Sequence, residues 1–408
     1  MKNTNSLLVL ALFFGLTFHG ASIFFTLEST YDALIHLFFA DHYANSWFEP
    51  WDYRWYTGFT VQGYPPLVHQ SIALLSYVGG LKFGLFTVAL LGIVLFITGT
   101  YRFGLLMTGN QKVAGYTSLM AVFSTTFIET LHIFGQLPSI IGLSVLLHSL
   151  TEIYLWIKTG RSHYLLTSLS LIAVTVTSHH VTPIFGMVFF VFPLIGMVVM
   201  DVSRDKVSTN RELTFKVFFK SFKQLFWRIV GFGFSSLVLI VVCILPYWVN
   251  SKKNPITQIP IPHGSRDNFL EVTSSGLVFF IVPWGILLFF LPYIFYRLYS
   301  KRFLFFGLSI SALTILGTGG TTPIPLKVLG ETAFNILTLD RFTLWATIMA
   351  LPIFGEFIYR LAEGDLKQQL QRRFGAIYHR VLSIFIGGSI LLMVSGIKWH
   401  GSRRKQMP

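Results

Sequence analysis

Residues 30–67 read T-Y-D-A-L-I-H-L-F-F-A-D-H-Y-A-N-S-W-F-E-P-W-D-Y-R-W-Y-T-G-F-T-V-Q-G-Y-P-P-L. The second half of this stretch is crowded with tryptophan, tyrosine and phenylalanine, which is typical of an ordered segment at a membrane interface. If residues 31–45 form a helix, Asp32 and His36 stand four residues apart and share one face. The stretch therefore predicts an interfacial helix that presents a carboxylate and an imidazole together.

Long apolar runs surround this stretch and recur along the chain. The protein has 408 residues, of which 53% are hydrophobic and 12% charged, against about 25% charged in soluble domains. Runs of about 18 apolar residues or more can cross a bilayer with the backbone satisfied internally. We therefore predict an all-α fold, a polytopic transmembrane helical bundle that forms a single domain over residues 1–408. Eleven spanning helices are predicted, near residues 6–27, 83–105, 115–133, 139–157, 164–180, 183–200, 229–249, 273–296, 302–317, 342–359 and 380–397.

The distribution of charge predicts the orientation of the bundle. The net charge is +14, but Lys and Arg lie in short clusters between apolar runs, which argues against nucleic acid as a partner. With a cytoplasmic amino terminus, most of these residues face inside, as the positive-inside rule requires. Three long loops then face outside, at 28–66, 251–272 and 318–341. Inside, the basic and aromatic segment 201–228 is typical of an interfacial helix on anionic membrane lipid.

Asp32 and His36 are the first candidates for chemistry. At the mouth of a membrane cavity, such a pair could accept a proton from a hydroxyl nucleophile, or could hold a divalent cation. Ordinary interfacial polarity would produce the same spacing. The residues alone leave these three interpretations open.

The quoted stretch also resembles a known family. An acid just beyond the first helix, a nearby histidine, an aromatic loop and the sequence Y-P-P-L at 64–67 resemble the membrane glycosyltransferases of the GT-C superfamily. In closer detail, W-Y-T-G-F-x-V-Q-G-Y-P-P-L resembles prokaryotic membrane proteins labelled "6-pyruvoyl-tetrahydropterin synthase-related". That label does not indicate pterin chemistry, since nothing in the chain resembles the soluble zinc enzyme.

The resemblance implies a glycosyltransferase in the plasma membrane with its active site on the extracytoplasmic face. Such an enzyme would move a sugar, with inversion, from a polyprenyl-phosphate donor to a lipid-linked glycan, a polysaccharide or a protein. Asp32 matches the catalytic base, and His36 could orient it. Where family members carry adjacent acids or a D-x-D type motif, this chain has neither. No metal-binding residue is therefore predicted, and a divalent cation as cofactor stays open.

Arg341 lies at the predicted outer end of the penultimate helix. A guanidinium matches phosphate oxygens bidentately, and a charge at membrane level is rare and expensive. Arg341 is therefore a candidate to bind the donor phosphate. A simple ion pair with the neighbouring Asp340, or with another outer acid, is the alternative.

Further polar residues are predicted at the same outer level. His179 and His180 end the fifth helix and could bind the acceptor, but adjacent helical residues point about 100° apart, which argues against a zinc site. Gln136 would share a helical stripe with His132 and Glu129, either as a functional group or in hydrogen bonds between helices. The remaining candidates for substrate binding are Asp52, Arg54 and Tyr64.

The segment G-T-G-G-T-T-P-I-P at 317–325 lacks a preceding strand and the Walker lysine, so it predicts a flexible outer loop near the site rather than a phosphate loop.

Two other functions stay open. One is a transporter or flippase of lipid-linked or polar substrates, and the other is a non-catalytic subunit of an envelope polysaccharide complex. Transporters often contain paired broken helices, and the hydropathy pattern shows no such pair.

Overall fold

The protein is described by a computed structural model that covers residues 6–55, 57–207, 214–253, 260–388 and 391. Within these residues the chain is helical apart from its loops and a hairpin of two short strands, β1 (Trp51–Asp52) and β2 (Phe59–Thr60). The helices before and after the hairpin are α1 (Ser6–Ser29), α2 (Ala33–Asn45), α3 (Leu67–Thr108), α4 (Gln111–Val122), α5 (Thr125–Phe134), α6 (Leu137–Thr159), α7 (Ser162–Ser178), α8 (Val181–Asp205), α9 (Phe215–Lys253), α10 (Thr273–Trp284), α11 (Leu287–Leu298), α12 (Leu304–Leu316), α13 (Ile324–Ile336), α14 (Asp340–Ala362) and α15 (Asp365–Phe374).

Six of these helices are long and apolar enough to cross a membrane, and the number rises to eight if each of two bent pairs counts as one span. The protein is thus an integral, multi-pass membrane protein, although the predicted count of eleven is not confirmed. Two predicted spans, 83–105 and 229–249, lie inside the longer helices α3 and α9. Helix α3 joins the apolar run at 67–79 to the second span across a break at Gly80, which has a φ of 83°. Residues 378–388 are helical, and the rest of the last predicted span lies outside the described residues.

Helix α9 also exceeds its prediction, because it begins at Phe215 and not near residue 229. Its 39 residues correspond to a length of roughly 58 Å at 1.5 Å per residue, about twice the thickness of a hydrocarbon core. Its first turns carry residues 215–228 of the basic segment 201–228, whose first residues belong to α8, and they expose Phe215 and Trp227. The proposed contact of this segment with anionic lipid stays a prediction.

Two spans are broken, and the breaks meet. Helices α4 and α5 are bent by 45° across Phe123 and Ser124, and α10 and α11 by 58° across Gly285, which has a φ of 48°. The Thr125 hydroxyl donates to the Pro283 carbonyl over 3.1 Å. A Cβ on Gly285 would lie 2.6 Å from the Thr125 hydroxyl, so glycine allows this close approach. Hydropathy alone does not report such bends, so the sequence did not reveal these two broken spans.

The outer loops fold onto one another. Gly320 N–H donates to the Asp267 carbonyl over 3.0 Å, and the Leu339 N–H donates to the Ser265 hydroxyl over 2.8 Å. Gly319 has a φ of 62°, and a Cβ there would meet the Ser265 carbonyl at 2.5 Å. The segment 317–325 is therefore packed against the preceding outer loop, which corrects the prediction of a flexible loop.

Helix α14 occupies the centre of the bundle. It is the most buried of the candidate spans, whereas α9 is the least buried. Helix α14 packs against α4 and α12, and it also contacts α5 and α10. The residue before its start, Leu339, is attached to the outer loop through Ser265.

Candidate functional site

Asp32 stands between the first span and the interfacial helix. It is the N-cap residue of α2, the predicted helix at 31–45, but its carboxylate makes no capping hydrogen bond. The Tyr31 and Asp32 N–H groups donate to the carbonyls of Ile133 and Phe134 over 3.1 and 3.0 Å, which fixes this turn to the end of α5. Burial raises the pKa of Asp32 to about 6, while the positive charge of Arg341 opposes the shift and Asp340 adds to it. The backbone at Asp32 is therefore held in place, while its carboxyl group is partly desolvated and free to act on a ligand.

Arg341 approaches the same point from α14. Its guanidinium lies within electrostatic range of Asp32, Tyr64 and His179. Among the described residues it forms no ion pair, and its buried Nε has no hydrogen-bond partner. The alternative of an ion pair with Asp340 is thus not realised. A cation in the first turn of a helix is disfavoured by the helix dipole, so its position there needs an anionic partner.

Tyr64, the first residue of Y-P-P-L, reaches this site from the start of α3. Its ring packs against Phe39 and His69, with centroids 5.9 and 5.3 Å apart. Burial raises the pKa of Tyr64 to about 12, with Arg341 lowering it and Asp32 raising it. The phenol therefore stays neutral at physiological pH and can donate a hydrogen bond.

His36 has partners other than the one predicted. Its Nδ1 lies 3.0 Å from Nε2 of His69, and its Nε2 donates to the Gly135 carbonyl over 2.9 Å. Burial lowers the pKa of His36 to about 4. Both ring nitrogens are occupied, so His36 does not orient the Asp32 side chain directly. It connects α2 to α3 and to the turn before α6, and His69, which the sequence reasoning missed, completes this contact.

Asp52 and Arg54 form a separate network in the first outer loop. Asp52 accepts hydrogen bonds from His42 at 2.8 Å and from Arg54 at 2.7 Å, and Arg54 also pairs with Asp41. These bonds, with those from Arg54 first, hold the pKa of Asp52 well below its usual range. Arg54 also lies over the Phe38 ring. Because the charged groups of Asp52 and Arg54 are occupied by hydrogen bonds within the loop, these contacts indicate a role in stabilising the hairpin. The contacts give no support to the predicted binding of substrate.

His179 and His180 diverge. The buried His179 ring is held by the hydroxyls of Thr182 at 2.7 Å and Ser139 at 3.4 Å and lies within electrostatic range of Arg341. The His180 ring instead packs against Tyr247, with centroids 4.9 Å apart. His179 therefore borders the site, while His180 faces another helix. In the part of the chain that the structure describes, no three His, Cys, Asp or Glu residues are grouped to hold a metal ion.

The predicted stripe of Glu129, His132 and Gln136 is divided. Residues 129–134 form a π-helical turn, which changes the angle between successive side chains. His132 lies 2.8 Å from the ring of His19 on α1, whereas the buried Glu129 is within electrostatic range of Asp340. Gln136 begins α6 as its N-cap residue. The prediction of a shared stripe was wrong, because it assumed an α-helix with 3.6 residues per turn.

His263 and Ser265 are further site residues that the sequence reasoning missed. The Ser265 N–H donates to His263 Nδ1 over 3.2 Å, so the neutral ring carries its proton on Nε2. His263 lies within electrostatic range of Asp340 and Arg341, and burial lowers its pKa. The length of the loop 251–272 was the available signal, because long ordered loops are usually functional.

These residues define a class of protein, a multi-pass helical membrane protein with a polar site at one end of its spans. The turn before α2 brings the Asp32 carboxylate to this site and the start of α14 brings the Arg341 guanidinium, each without a partner among the described residues. No family model and no curated protein matches the chain. Several chains of solved structures are similar to it, and two of them follow.

One is the crystal structure of ArnT from Cupriavidus metallidurans bound to undecaprenyl phosphate, with 14% identity, a TM-score of 0.50, and coverage of 82% of this chain and 57% of ArnT. The other is the archaeal oligosaccharyltransferase AglB from Archaeoglobus fulgidus, in complex with an inhibitory peptide and a dolichol-phosphate. It has 14% identity and a TM-score of 0.48, and the match covers 96% of this chain and 55% of AglB. The chain therefore spans somewhat more than half the length of either protein.

At this identity, the likeness to ArnT concerns the fold alone. The predicted all-α, polytopic membrane fold is confirmed, and ArnT shares it. The resemblance to proteins labelled as pterin synthase-related receives no support from these comparisons.

Proposed function

We propose that this protein is a membrane glycosyltransferase that moves a sugar from a polyprenyl-phosphate donor to an extracytoplasmic acceptor. The observation that carries the proposal is the meeting of Asp32 and Arg341 at one site, each without a protein partner among the described residues. An acid that can accept a proton beside a cation that can bind a phosphate is the minimum that such a transfer needs. The fold shared with ArnT, which was solved with undecaprenyl phosphate, supports the same assignment.

In the proposed reaction, Asp32 accepts the proton of an acceptor hydroxyl as its oxygen bonds to the anomeric carbon of the sugar. The bond between that carbon and the phosphate oxygen breaks, and its electron pair leaves with the polyprenyl phosphate. Attack opposite the leaving group inverts the anomeric centre. Arg341 stabilises the negative charge that grows on the departing phosphate, and the base contributes roughly 10²–10⁴-fold to the rate.

We also propose that the site faces the extracytoplasmic side of the plasma membrane. The inner segments predicted from charge contain basic residues that form ion pairs with acids, such as Arg302 with Asp201 at 2.7 Å and Arg297 with Glu356 at 2.5 Å. Asp32, Tyr64 and Arg341 lie at the opposite ends of the spans. The acceptor class, whether lipid-linked glycan, polysaccharide or protein, stays open.

The experiment is the release of polyprenyl phosphate from a panel of labelled polyprenyl-phosphate sugars by protein in nanodiscs. We expect turnover by the wild type, a loss of roughly 10²-fold or more for Asp32→Asn, and weakened donor binding for Arg341→Lys, because lysine cannot bind a phosphate bidentately. Glu28→Gln is the control: this nearby acid pairs with Lys82 in an exposed ion pair of 2.9 Å, and turnover should stay at the wild-type level. Equal turnover by wild type and Asp32→Asn would remove Asp32 as the base.

A transporter or flippase is the second candidate, favoured by the two broken spans that meet at Thr125 and Gly285. It predicts that labelled donor crosses the bilayer of proteoliposomes without release of polyprenyl phosphate. Release without crossing supports the transferase, and crossing without release supports the transporter.

A further inference from the structure

His19 lies in the first span, and the proposed reaction does not use it. Its side chain is 0% exposed, and both of its ring nitrogens form hydrogen bonds. Nε2 lies 2.6 Å from the Val122 carbonyl oxygen, and Nδ1 lies 2.8 Å from Nε2 of His132. Because a carbonyl oxygen only accepts, Nε2 carries the proton of the neutral ring, and Nδ1 accepts from the N–H of His132. One imidazole on α1 therefore binds both α4, which ends at Val122, and α5, which contains His132.

The two partners of His19 stand on opposite sides of the first break. Val122 is the last residue of α4, and the carbonyl groups in the last turn of a helix have no partner within that helix. A buried carbonyl without a partner is destabilising, and the N–H of His19 supplies the partner here. Beyond the break, the ring of Phe127 packs edge-on against the His19 ring, with centroids 5.1 Å apart. His19 therefore holds the 45° bend between α4 and α5 from both sides.

Both histidines lie in π-helical turns. His19 ends the turn Gly15–His19 within α1, and His132 lies in the turn Glu129–Phe134 of α5. Turns of this kind are rare, and they occur frequently at functional sites. The contact between two of them through one pair of histidines indicates a role beyond filling the space between helices.

The end of α5 carries the backbone of Asp32. The carbonyls of Ile133 and Phe134, which directly follow His132 in the chain, accept hydrogen bonds from the N–H groups of Tyr31 and Asp32 over 3.1 and 3.0 Å. A shift of α5 at His132 would therefore move the backbone of Asp32 with it. A misplacement of about 1 Å can lower the rate of a reaction roughly 100-fold.

We infer that His19 is a positioning residue for the proposed reaction: by holding both sides of the break, it sets where the end of α5 places the Asp32 carboxyl group. This inference rests on the proposed function, in which Asp32 is the base. Arg341 is carried by α14 instead, so His19 has no part in holding the donor phosphate. Loss of His19 should therefore slow the chemical step and leave donor binding intact.

The test compares kcat and donor affinity, measured in nanodiscs with a labelled polyprenyl-phosphate sugar, for variants of the two histidines. His19→Phe keeps a ring but removes both hydrogen bonds, so we expect kcat to fall roughly 10–100-fold while the Kd of the donor stays unchanged. His132→Phe leaves the bond to Val122 in place, so kcat should fall less. His19→Gln keeps an N–H donor and an oxygen acceptor, and it should recover part of the rate that His19→Phe loses.

His148→Phe is the matched control, because His148 on α6 also joins two spans. Its Nε2 lies 3.1 Å from the Thr98 hydroxyl and 3.3 Å from the Leu95 carbonyl, both on α3. This variant should lower thermal stability without a selective loss of kcat. If His19→Phe instead loses kcat and donor binding together, in proportion to its loss of stability, the role of His19 is structural alone and the inference is overturned.

A second measurement needs no turnover. Hydrogen exchange followed by mass spectrometry should show faster exchange of the Tyr31 and Asp32 amides in His19→Phe, because the carbonyls that accept from them are no longer fixed. His132→Phe serves in its place if His19→Phe does not fold. Unchanged exchange at these amides would overturn the inference. Failure of the wild type to release polyprenyl phosphate from any donor would overturn the proposed function, while exchange still decides whether His19 fixes the turn at Asp32.

Discussion

Asp32 combines two properties that set the pH dependence of the proposed reaction. Burial raises its pKa to about 6, against the opposing charge of Arg341, and a base must be ionised to accept a proton. We expect kcat/KM for the donor to fall as the pH drops through about 6, because this ratio reports the ionisation of groups in the free enzyme. In Arg341→Gln the opposing charge is lost, so the acid limb should move to higher pH. A limb that stays in place in this variant would show that another group titrates.

The same carboxylate should cost the protein stability. The folded-state pKa of Asp32 lies above its usual value, so the folded protein binds more protons than the unfolded chain between about pH 4 and 6, and its stability falls as the pH rises through this window. Asp32→Asn should therefore raise the free energy of unfolding at pH 8 by on the order of 1–2 kcal/mol. At pH 4 or below, most of this gain should disappear. Thermal unfolding in detergent at the two pH values measures it, with Glu28→Gln expected to change little at either.

At the scale of single residues, the sequence predicted which side chains lie at the site better than it predicted which groups they contact. Asp32, Tyr64 and Arg341 were predicted from a motif and from the rarity of charge at membrane level, and the structure brings them together. The role of His36 was wrong, because its partner His69 is distant in sequence and spacing cannot reveal such contacts. From the sequence alone, Asp52 and Arg54 were candidates for ligand binding, because the sequence does not show that their side chains form hydrogen bonds with each other.

At the scale of elements, the turn between α5 and α6 holds the site together. Gly135 has a φ of 68°, and a Cβ there would meet the Thr30 hydroxyl at 2.2 Å. Gly135→Ala should lower the free energy of unfolding by about 2–3 kcal/mol, from backbone strain and overpacking combined. Gly109→Ala is the matched control, because Gly109 has a similar φ of 66° but open space around it. An equal loss in both variants, measured by thermal unfolding, would contradict the proposed clash.

Hydropathy predicted the elements well where a helix runs straight and poorly where it bends. The interfacial helix at 31–45 appears as Ala33–Asn45, and α6 appears close to its predicted limits. The breaks beside Thr125 and Gly285 were missed, because both halves of each bent span remain apolar. They arise from an extended residue and from a glycine with positive φ, and local backbone conformation of this kind leaves no hydrophobic period.

At the scale of the whole molecule, the orientation of the bundle can be tested directly. In a Cys243→Ser background, a cysteine replacing the highly exposed Phe48 should react with a membrane-impermeant maleimide added to intact cells. A cysteine replacing Lys301, at a predicted inner turn, should react only after the cells are opened. Reversed labelling would place the candidate site on the cytoplasmic side and contradict the proposed extracytoplasmic reaction.

The attachment of Asp32 to the end of α5 has a consequence for how such proteins diverge. Two backbone hydrogen bonds, from the N–H groups of Tyr31 and Asp32, fix the backbone that carries the carboxylate before the interfacial helix begins. The hairpin beyond Asn45 can therefore lengthen, shorten or change its surface without displacing the reactive group. The reactive group is then insulated from changes in this hairpin, because the anchored turn precedes the hairpin in the chain.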